Sequence, residues 1–131
     1  MSDELFQITG NDGRSSFSNE DIQEARSVFI IALVEDEAVG CGGLRQISHD
    51  ICEIKRMYAK YRGQGIGKEL LSALENRARE FGYKEIWLET RRINENAVNF
   101  YLQQEYQARE NYGKYIGKDE AICFEKIIVA S

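Results

Sequence analysis

Two hydrophobic rhythms divide this chain. From Lys68 to Phe81 the apolar positions recur at helical spacing, with Ile66, Leu70, Leu71, Leu74, Ala78 and Phe81 on one face. Glu69, Glu75, Arg77, Arg79 and Glu80 fall on or near the other side, and Gly82 is a natural stop. Elsewhere the apolar runs are short and bounded by turn residues, which reads as strands. Ser27 to Glu35 is one, Glu35-Asp36-Glu37 is its turn, and Ala38 to Ile47 returns as the second arm of a hairpin. Gly40, Gly42 and Gly43 inside that arm predict a bulge or a close backbone approach. Ser48 to Asp50 turns the chain again, and Ile51 to Ala59 forms a third antiparallel strand.

Lys84 to Thr90 is a further strand, parallel to Ile51–Ala59 if the long helix is a right-handed crossover. Asn94 is placed to cap a second helix, Glu95 to Gln104, carrying Ala97, Val98, Tyr101 and Leu102. Two short strands follow, near Tyr106 to Glu110 and Ala121 to Val129, with Tyr112, Gly113 and Tyr115 in the loop between them. At the other end, residues 3–9 read as an opening strand and Gly10 to Phe17 as a loop. Ser18-Asn19-Glu20-Asp21 reads as a capping box for a short helix to about Arg26. The 131 residues suit one domain, 1–131, with a real core.

Composition narrows the function. Hydrophobic content of 43% without any proline argues against a disordered tail, and no apolar run approaches a membrane span. The start, Met1-Ser2-Asp3-Glu4, lacks the pattern of a signal peptide, so a soluble cytoplasmic protein with no membrane partner is expected. Cys41, Cys52 and Cys123 are odd in number and lack metal spacing, and His49, the sole histidine, lies in a polar turn. Reduced, mostly buried thiols and no metal are therefore expected. The net charge of −5 argues against a nucleic-acid partner. Yet Ile54 to Lys68 holds no acidic residue while Lys55, Arg56, Lys60, Arg62 and Lys68 are basic. A positive island in an acidic chain fits a small polyanion.

That island is centred on Arg62-Gly63-Gln64-Gly65-Ile66-Gly67, at the start of the long helix. Unpartnered N–H groups and the helix dipole make such a turn an anion site, and glycines let phosphate approach the backbone. A Walker loop, G-x-x-x-x-G-K-S/T, fails because Glu69 follows Lys68 and Arg62 takes the first glycine position. A dinucleotide fingerprint fails because Lys68 stands at its third glycine. What remains, R-x-x-G-x-G opening a helix, resembles the acetyl-CoA pyrophosphate loop of the GNAT superfamily of acyl-CoA N-acyltransferases.

Further segments share the resemblance in order. Asn94-Glu95-Asn96-Ala97-Val98-Asn99-Phe100-Tyr101 resembles the family pattern N-x-x-A-x-x-x-Y, and Glu85 to Thr90 resembles the strand before it. Cys41 to Leu44, Glu53 to Tyr58, and Asn111 to Gly113 with Cys123 to Lys126 resemble a bacterial subgroup that acetylates small molecules. The match covers roughly residues 28–128.

The resemblance implies an α/β (α+β) fold: a mixed, mostly antiparallel sheet whose central parallel pair splays into a V, flanked by helices. The N-terminal helical region is shorter than in the family, which leaves the acceptor side open or completed by a second subunit in a homodimer. Acetyl-CoA would enter the V as co-substrate, held by Arg62, Gly63, Gln64, Gly65, Ile66, Gly67 and Lys68. A bulge in the preceding strand would place Met57, Tyr58 and Ala59 beside the acetyl group. Tyr101 matches the tyrosine that protonates the departing thiolate, although by itself it reads as a core tyrosine on an amphipathic helix. Asn94 is either a cofactor contact or purely a cap. The general base is Glu53, ranked first, or Glu89, each also readable as a surface carboxylate. Arg56, Glu89, Tyr112 and Tyr115 would line the pocket of a small-molecule primary amine, acetylated by direct transfer in a ternary complex. A non-catalytic acyl-CoA sensor and a protein lysine acetyltransferase are the alternatives.

Two positions depart from the family. Only Lys60 and Tyr61 separate Ala59 from Arg62, so the bulge register is expected to shift. Glu105-Tyr106 stands where the family favours glycine after the helix, so that helix exit is expected to differ.

Overall fold

The computed structural model describes residues 26–61 and 63–128, together with the backbone of residues 6–11. The expected capping box at Ser18 to Asp21 lies outside the described residues, as do Arg62 and most of the loop from Gly10 to Phe17. The described strands form one seven-stranded sheet: β1 (Phe6–Asn11), β2 (Val28–Val34), β3 (Glu37–Gln46), β4 (Ile51–Ala59), β5 (Glu85–Arg91), β6 (Gln107–Arg109) and β7 (Ala121–Ile127). Their order across the sheet is β1-β2-β3-β4-β5-β7-β6. All pairs are antiparallel except the central one, β4 with β5. The crossover between those two strands is the helix α1 (Ile66–Phe81), and α2 (Glu95–Gln103) follows β5. No described helix is long and apolar enough to cross a membrane.

The β2–β3 hairpin closes through two residues, Glu35 and Asp36, at φ 48° and 69°. Positive φ at both central positions is the turn that matches the twist of the arms. The opening strand is described from Phe6 to Asn11, two residues beyond the expected end at Thr9, while residues 3–5 lie outside the described residues. Arg26, expected at a helix end, sits in a turn at φ 67°. Its guanidinium lies 4.0 Å from the Tyr83 ring and donates to the Phe81 and His49 carbonyls, tying the start of β2 to the end of α1.

α1 lays Ile66, Leu70, Leu71, Leu74 and Ala78 into the core, all nearly inaccessible to solvent. Each aliphatic side chain so buried contributes about 1.5–3 kcal/mol. The helix sits close to the sheet because β3 has glycines beneath it. A Cβ on Gly40 would lie 2.8 Å from both Leu70 Cδ1 and the Tyr58 carbonyl oxygen, and one on Gly42 would lie 2.7 Å from Met57 Sδ. The close approach expected from the glycines is therefore between β3 and α1.

Glu75 corrects the polar-face assignment. It is buried, accepting from Tyr106 Oη at 2.9 Å and Lys126 Nζ at 3.1 Å. A carboxylate tolerates burial when it is paired in this way. The exit of α2 corrects a second expectation. Tyr106 N–H donates to the Tyr101 carbonyl and Glu105 N–H to that of Leu102, with Glu105 at φ 72°. This is the left-handed helix stop usually built on glycine, here carried by glutamate. The packing of Tyr106 on Tyr101, 5.7 Å between ring centroids, supplies its apolar contact.

Candidate active site

The parallel ladder of β4 with β5 is short. It registers Ile51 with Glu85, Cys52 with Ile86 and Glu53 with Trp87, and then stops. β4 nevertheless stays paired with β3 as far as Ala59, and β5 with β7 as far as Arg91. The facing edges of β4 and β5 therefore part with their outer edges still held. Their backbone groups along the gap are left to bond something other than each other. This V is a cleft of about 240 Å³, bounded by Ile54 to Met57 on one strand, Leu88 to Thr90 on the other, and Asn94, Ala97 and Tyr101 of the second helix region.

A bulge shapes the β4 wall. Cys41 registers with Tyr58 but Gly43 with Lys55, so Arg56 and Met57 together face Gly42. Arg56 takes φ 59° there. The bulge lies one step earlier than the Met57–Ala59 expectation. Arg56 and Met57 line the cleft, whereas Tyr58 is 59% exposed and Ala59 packs against the core. A bulge leaves its extra residue without a ladder partner and re-aims the strand into the short turn that follows. That turn is pinned by Glu37, which accepts from Lys60 Nζ at 2.7 Å and Tyr61 Oη at 2.9 Å. Lys60 is thus partly spent within the positive island.

Beyond the turn, Gly63 and Gly65 adopt φ 73° and 80°, with nothing within 4 Å of a Cβ built on either. Gly65 caps α1 without a side chain, so Ile66, Gly67 and Lys68 open the helix with N–H groups that no described side chain claims. Gly63, Gln64, Gly65 and Lys68 are exposed. An open, cationic helix start beside a cleft of free strand edges suits a phosphate-bearing chain such as the pantetheine-pyrophosphate of CoA.

Tyr101 is 7% exposed, and its ring packs on Phe100, Tyr106 and Phe124. Burial pushes its phenol up to about 12. Its hydroxyl makes no hydrogen bond to any described residue, and Tyr101 borders the cleft. Asn94 is a true cap, its Oδ1 accepting from Ala97 N–H at 3.2 Å, and it borders the same cleft.

The two carboxylates differ. Glu53, at the last rung of the ladder, is 3% exposed and engaged at both oxygens. Arg45 Nε donates to Oε1 at 3.0 Å and the Tyr112 hydroxyl donates to Oε2. Glu89, two residues past the last rung, is half-buried with no hydrogen bond or ion pair among the described residues. Burial holds its carboxyl above the ordinary glutamate value, against the pull of Arg91 and Lys114. Tyr115 reaches the cleft as well, while Tyr112 meets it through Glu53 and packs tilted against Trp87, 5.0 Å between ring centroids.

Arg45 and Asn111 gave no signal as functional residues in the sequence. Asn111 Nδ2 donates to the carbonyls of Tyr115, Lys118 and Ala121, which fixes the loop carrying both tyrosines. All three cysteines lie free in strands, with Cys52 and Cys123 fully buried.

Comparison with known proteins bears on this arrangement. The profile of the Acetyltransferase (GNAT) family matches residues 3–106. The chain is 31% identical over 104 residues to YjgM, an uncharacterized N-acetyltransferase of Escherichia coli, covering 76% of this chain and 54% of that protein. It is 31% identical over 99 residues to an IAA acetyltransferase of Azospirillum brasilense, covering 73% and 64%. The chain thus spans a little over half to just under two thirds of the length of these curated relatives. Among solved structures, a GNAT family acetyltransferase from Elizabethkingia anophelis with acetyl-CoA bound superposes at a TM-score of 0.73, with 18% identity and coverage of 95% and 99%. The PaiA N-acetyltransferase of Thermoplasma acidophilum, in complex with coenzyme A, superposes at 0.68 with 25% identity, covering 78% and 61%. From the match over most of its length and the splayed sheet that it folds into, this chain belongs to the GNAT acetyltransferase family.

Proposed function

We propose that this chain acts as one N-acetyltransferase domain over residues 1–131, moving acetyl from acetyl-CoA directly to the primary amine of a small molecule. One observation carries the reading. A protonated phenol (Tyr101) and a carboxylate of raised pKa (Glu89), neither hydrogen-bonded to any described residue, border the same cleft, beside a helix start without a side-chain cap. The YjgM and IAA acetyltransferase relatives, and the CoA-bound neighbours, support the choice of co-substrate and of acyl transfer.

Bound acetyl-CoA supplies an activated thioester. The N–H groups of Gly63 to Lys68 are in position to hold its pyrophosphate, and the Asn94 amide to contact the arm. Free backbone N–H groups at the Arg56–Met57 bulge polarise the acyl carbonyl, typically the largest single contribution in such chemistry. Glu89 takes the proton that the amine loses as its nitrogen bonds to the acyl carbon. Tyr101 gives its proton to the sulfur as the C–S bond breaks. Glu89 then releases its proton to solvent and the Tyr101 phenolate takes one up, so charges and protons balance over the cycle. Glu89 replaces Glu53 as first choice of base because Arg45 and Tyr112 already engage both Glu53 oxygens. A base poised nearer neutrality is also the more effective one. Acid and base groups at the cleft favour turnover over a binding-only role. Three free thiols are in keeping with a cytoplasmic setting.

Thermal unfolding on titration with acetyl-CoA, with NADH and ATP as controls, tests the site. Stabilisation of about 2.7 kcal/mol is expected at a hundredfold excess over the dissociation constant. CoA release with a panel of amines and lysine peptides then tests transfer. Absence of any shift, or a shift without CoA release for any amine, would overturn the reading.

A further inference from the structure

Beside the cleft lies a second cavity, of about 370 Å³, that shares Glu89 and Tyr115 with it. Its other charged walls are Arg91, Lys114, Lys118 and Glu120. The three cations make no side-chain hydrogen bond or ion pair among the described residues, although Glu89 and Glu120 border the same space. Asn111 Nδ2 bonds the carbonyls of Tyr115, Lys118 and Ala121, and Arg92 donates from the other side to the carbonyls of Asp119 and Ala121. The loop therefore presents Lys114 and Lys118 from a fixed backbone, opposite Arg91 on β5.

The cavity also lies on the far side of the sheet from the CoA loop. Successive strand residues point to opposite faces. Ile86 and Leu88 are buried in the core shared with α1 and α2, so Glu89 and Arg91, out of phase with them, both point to the helix-free face. Three convergent cations there are not needed by a pyrophosphate at the start of α1.

We propose that this cavity holds an anionic group, a carboxylate or a phosphate, of the acceptor whose amine meets Glu89. The acceptors are then amines that carry an acid group, such as amino acids or aminoalkyl phosphates. The assignment rests on the transfer reading above and deepens it. Arg91 offers two parallel donors to such a group, and the lysines add charge. Glu120 sets a limit, since a second negative charge on the acceptor would meet it.

The test compares CoA release, at saturating acetyl-CoA, for ω-amino acids, their amides, aminoalkyl phosphonates and a polyamine. The acids are expected to exceed the matched amides by about tenfold or more in kcat/KM, the loss that follows from removing one charge-assisted hydrogen bond. Comparing carboxylates with phosphonates shows which acid the cavity prefers. In the Lys114→Gln/Lys118→Gln double variant the acid-over-amide ratio collapses, through the acceptor KM. Equal rates for acids and amides, a preference for the polyamine, or a rise confined to the acetyl-CoA KM would each overturn the proposal and leave acetyl transfer standing. A second measurement needs no turnover: thermal unfolding with N-acetylglycine in the presence of CoA. A shift lost in the double variant supports the anion cavity even if no amine is acetylated, in which case the transfer reading fails alone. No shift overturns the cavity assignment.

Discussion

The Tyr112 hydroxyl donates a hydrogen bond to Glu53 Oε2 at the last rung of the parallel ladder, while Arg45 Nε holds the other oxygen at 3.0 Å. The pair closes the narrow end of the V. Tyr112→Phe removes a donor from an almost inaccessible carboxylate and is expected to cost about 1–3 kcal/mol of stability. Urea unfolding measures this. A variant as stable as the parent would show that Glu53 needs no partner beyond Arg45.

Base assignment separates the two glutamates. Glu89→Gln is expected to lower kcat by roughly 10²–10⁴-fold, while Glu53→Gln, in a folded variant, loses far less. The reverse order in steady-state rates would return the role to Glu53.

The pH dependence follows from the raised Glu89 value. Activity falls as pH drops through a value above the ordinary 4.5, and Glu89→Gln flattens that limb of kcat/KM. The linked stability has a definite sign. The folded value is the higher one, so the charged form opposes folding, and the favourable neutral contribution is lost as pH rises through it. Glu89→Gln therefore unfolds at a slightly higher temperature than the parent at neutral pH, a comparison made by calorimetry.

Tyr101→Phe is expected to fold and still respond to acetyl-CoA, because the hydroxyl bonds no described residue. Its kcat falls by about 10²-fold or more if the phenol supplies the thiolate proton. With the folded value near 12 against an ordinary 10, the phenol's stability contribution is complete below pH 10 and lost towards pH 12. The phenylalanine variant lacks that alkaline loss, as denaturation at pH 9 and 11 would show.

Backbone conformation yields two opposite substitutions. Glu105→Gly relieves a left-handed φ of 72° and is expected to stabilise by about 1 kcal/mol. Gly40→Ala forces a Cβ to 2.8 Å from the Tyr58 carbonyl oxygen and is expected to cost about 1–3 kcal/mol. Gly42→Ala costs less, because its nearest neighbour is the flexible end of Met57. Denaturant midpoints of the three variants give the order.

Much of this fold was legible because it rests on local rules. The α1 stripe from Ile66 to Ala78, the Gly82 stop and the Asn94 cap each carry their own signal. What the sequence hid depends on distant partners. Glu75 looks like a surface residue on a helix wheel, and only Tyr106 and Lys126, contributed from after α2 and from β7, make it a buried one. The contrast between Glu53 and Glu89 was likewise invisible. Both are single carboxylates on strands, and the difference lies in Arg45 and Tyr112, brought from β3 and a loop 59 positions away. Glu105 shows the converse case, where a left-handed exit forms without the residue that normally announces it.

The three-rung ladder at Ile51 to Glu53 also has a mechanical meaning. It divides the sheet into two leaves, β1 to β4 carrying α1, and β5 to β7 with α2. Besides core packing, Glu75 acts as a rivet between them, fastening α1 to Tyr106 and Lys126 of the other leaf. The two leaves thus share only three rungs of backbone ladder at the seam, and this buried carboxylate is a side-chain tie between them.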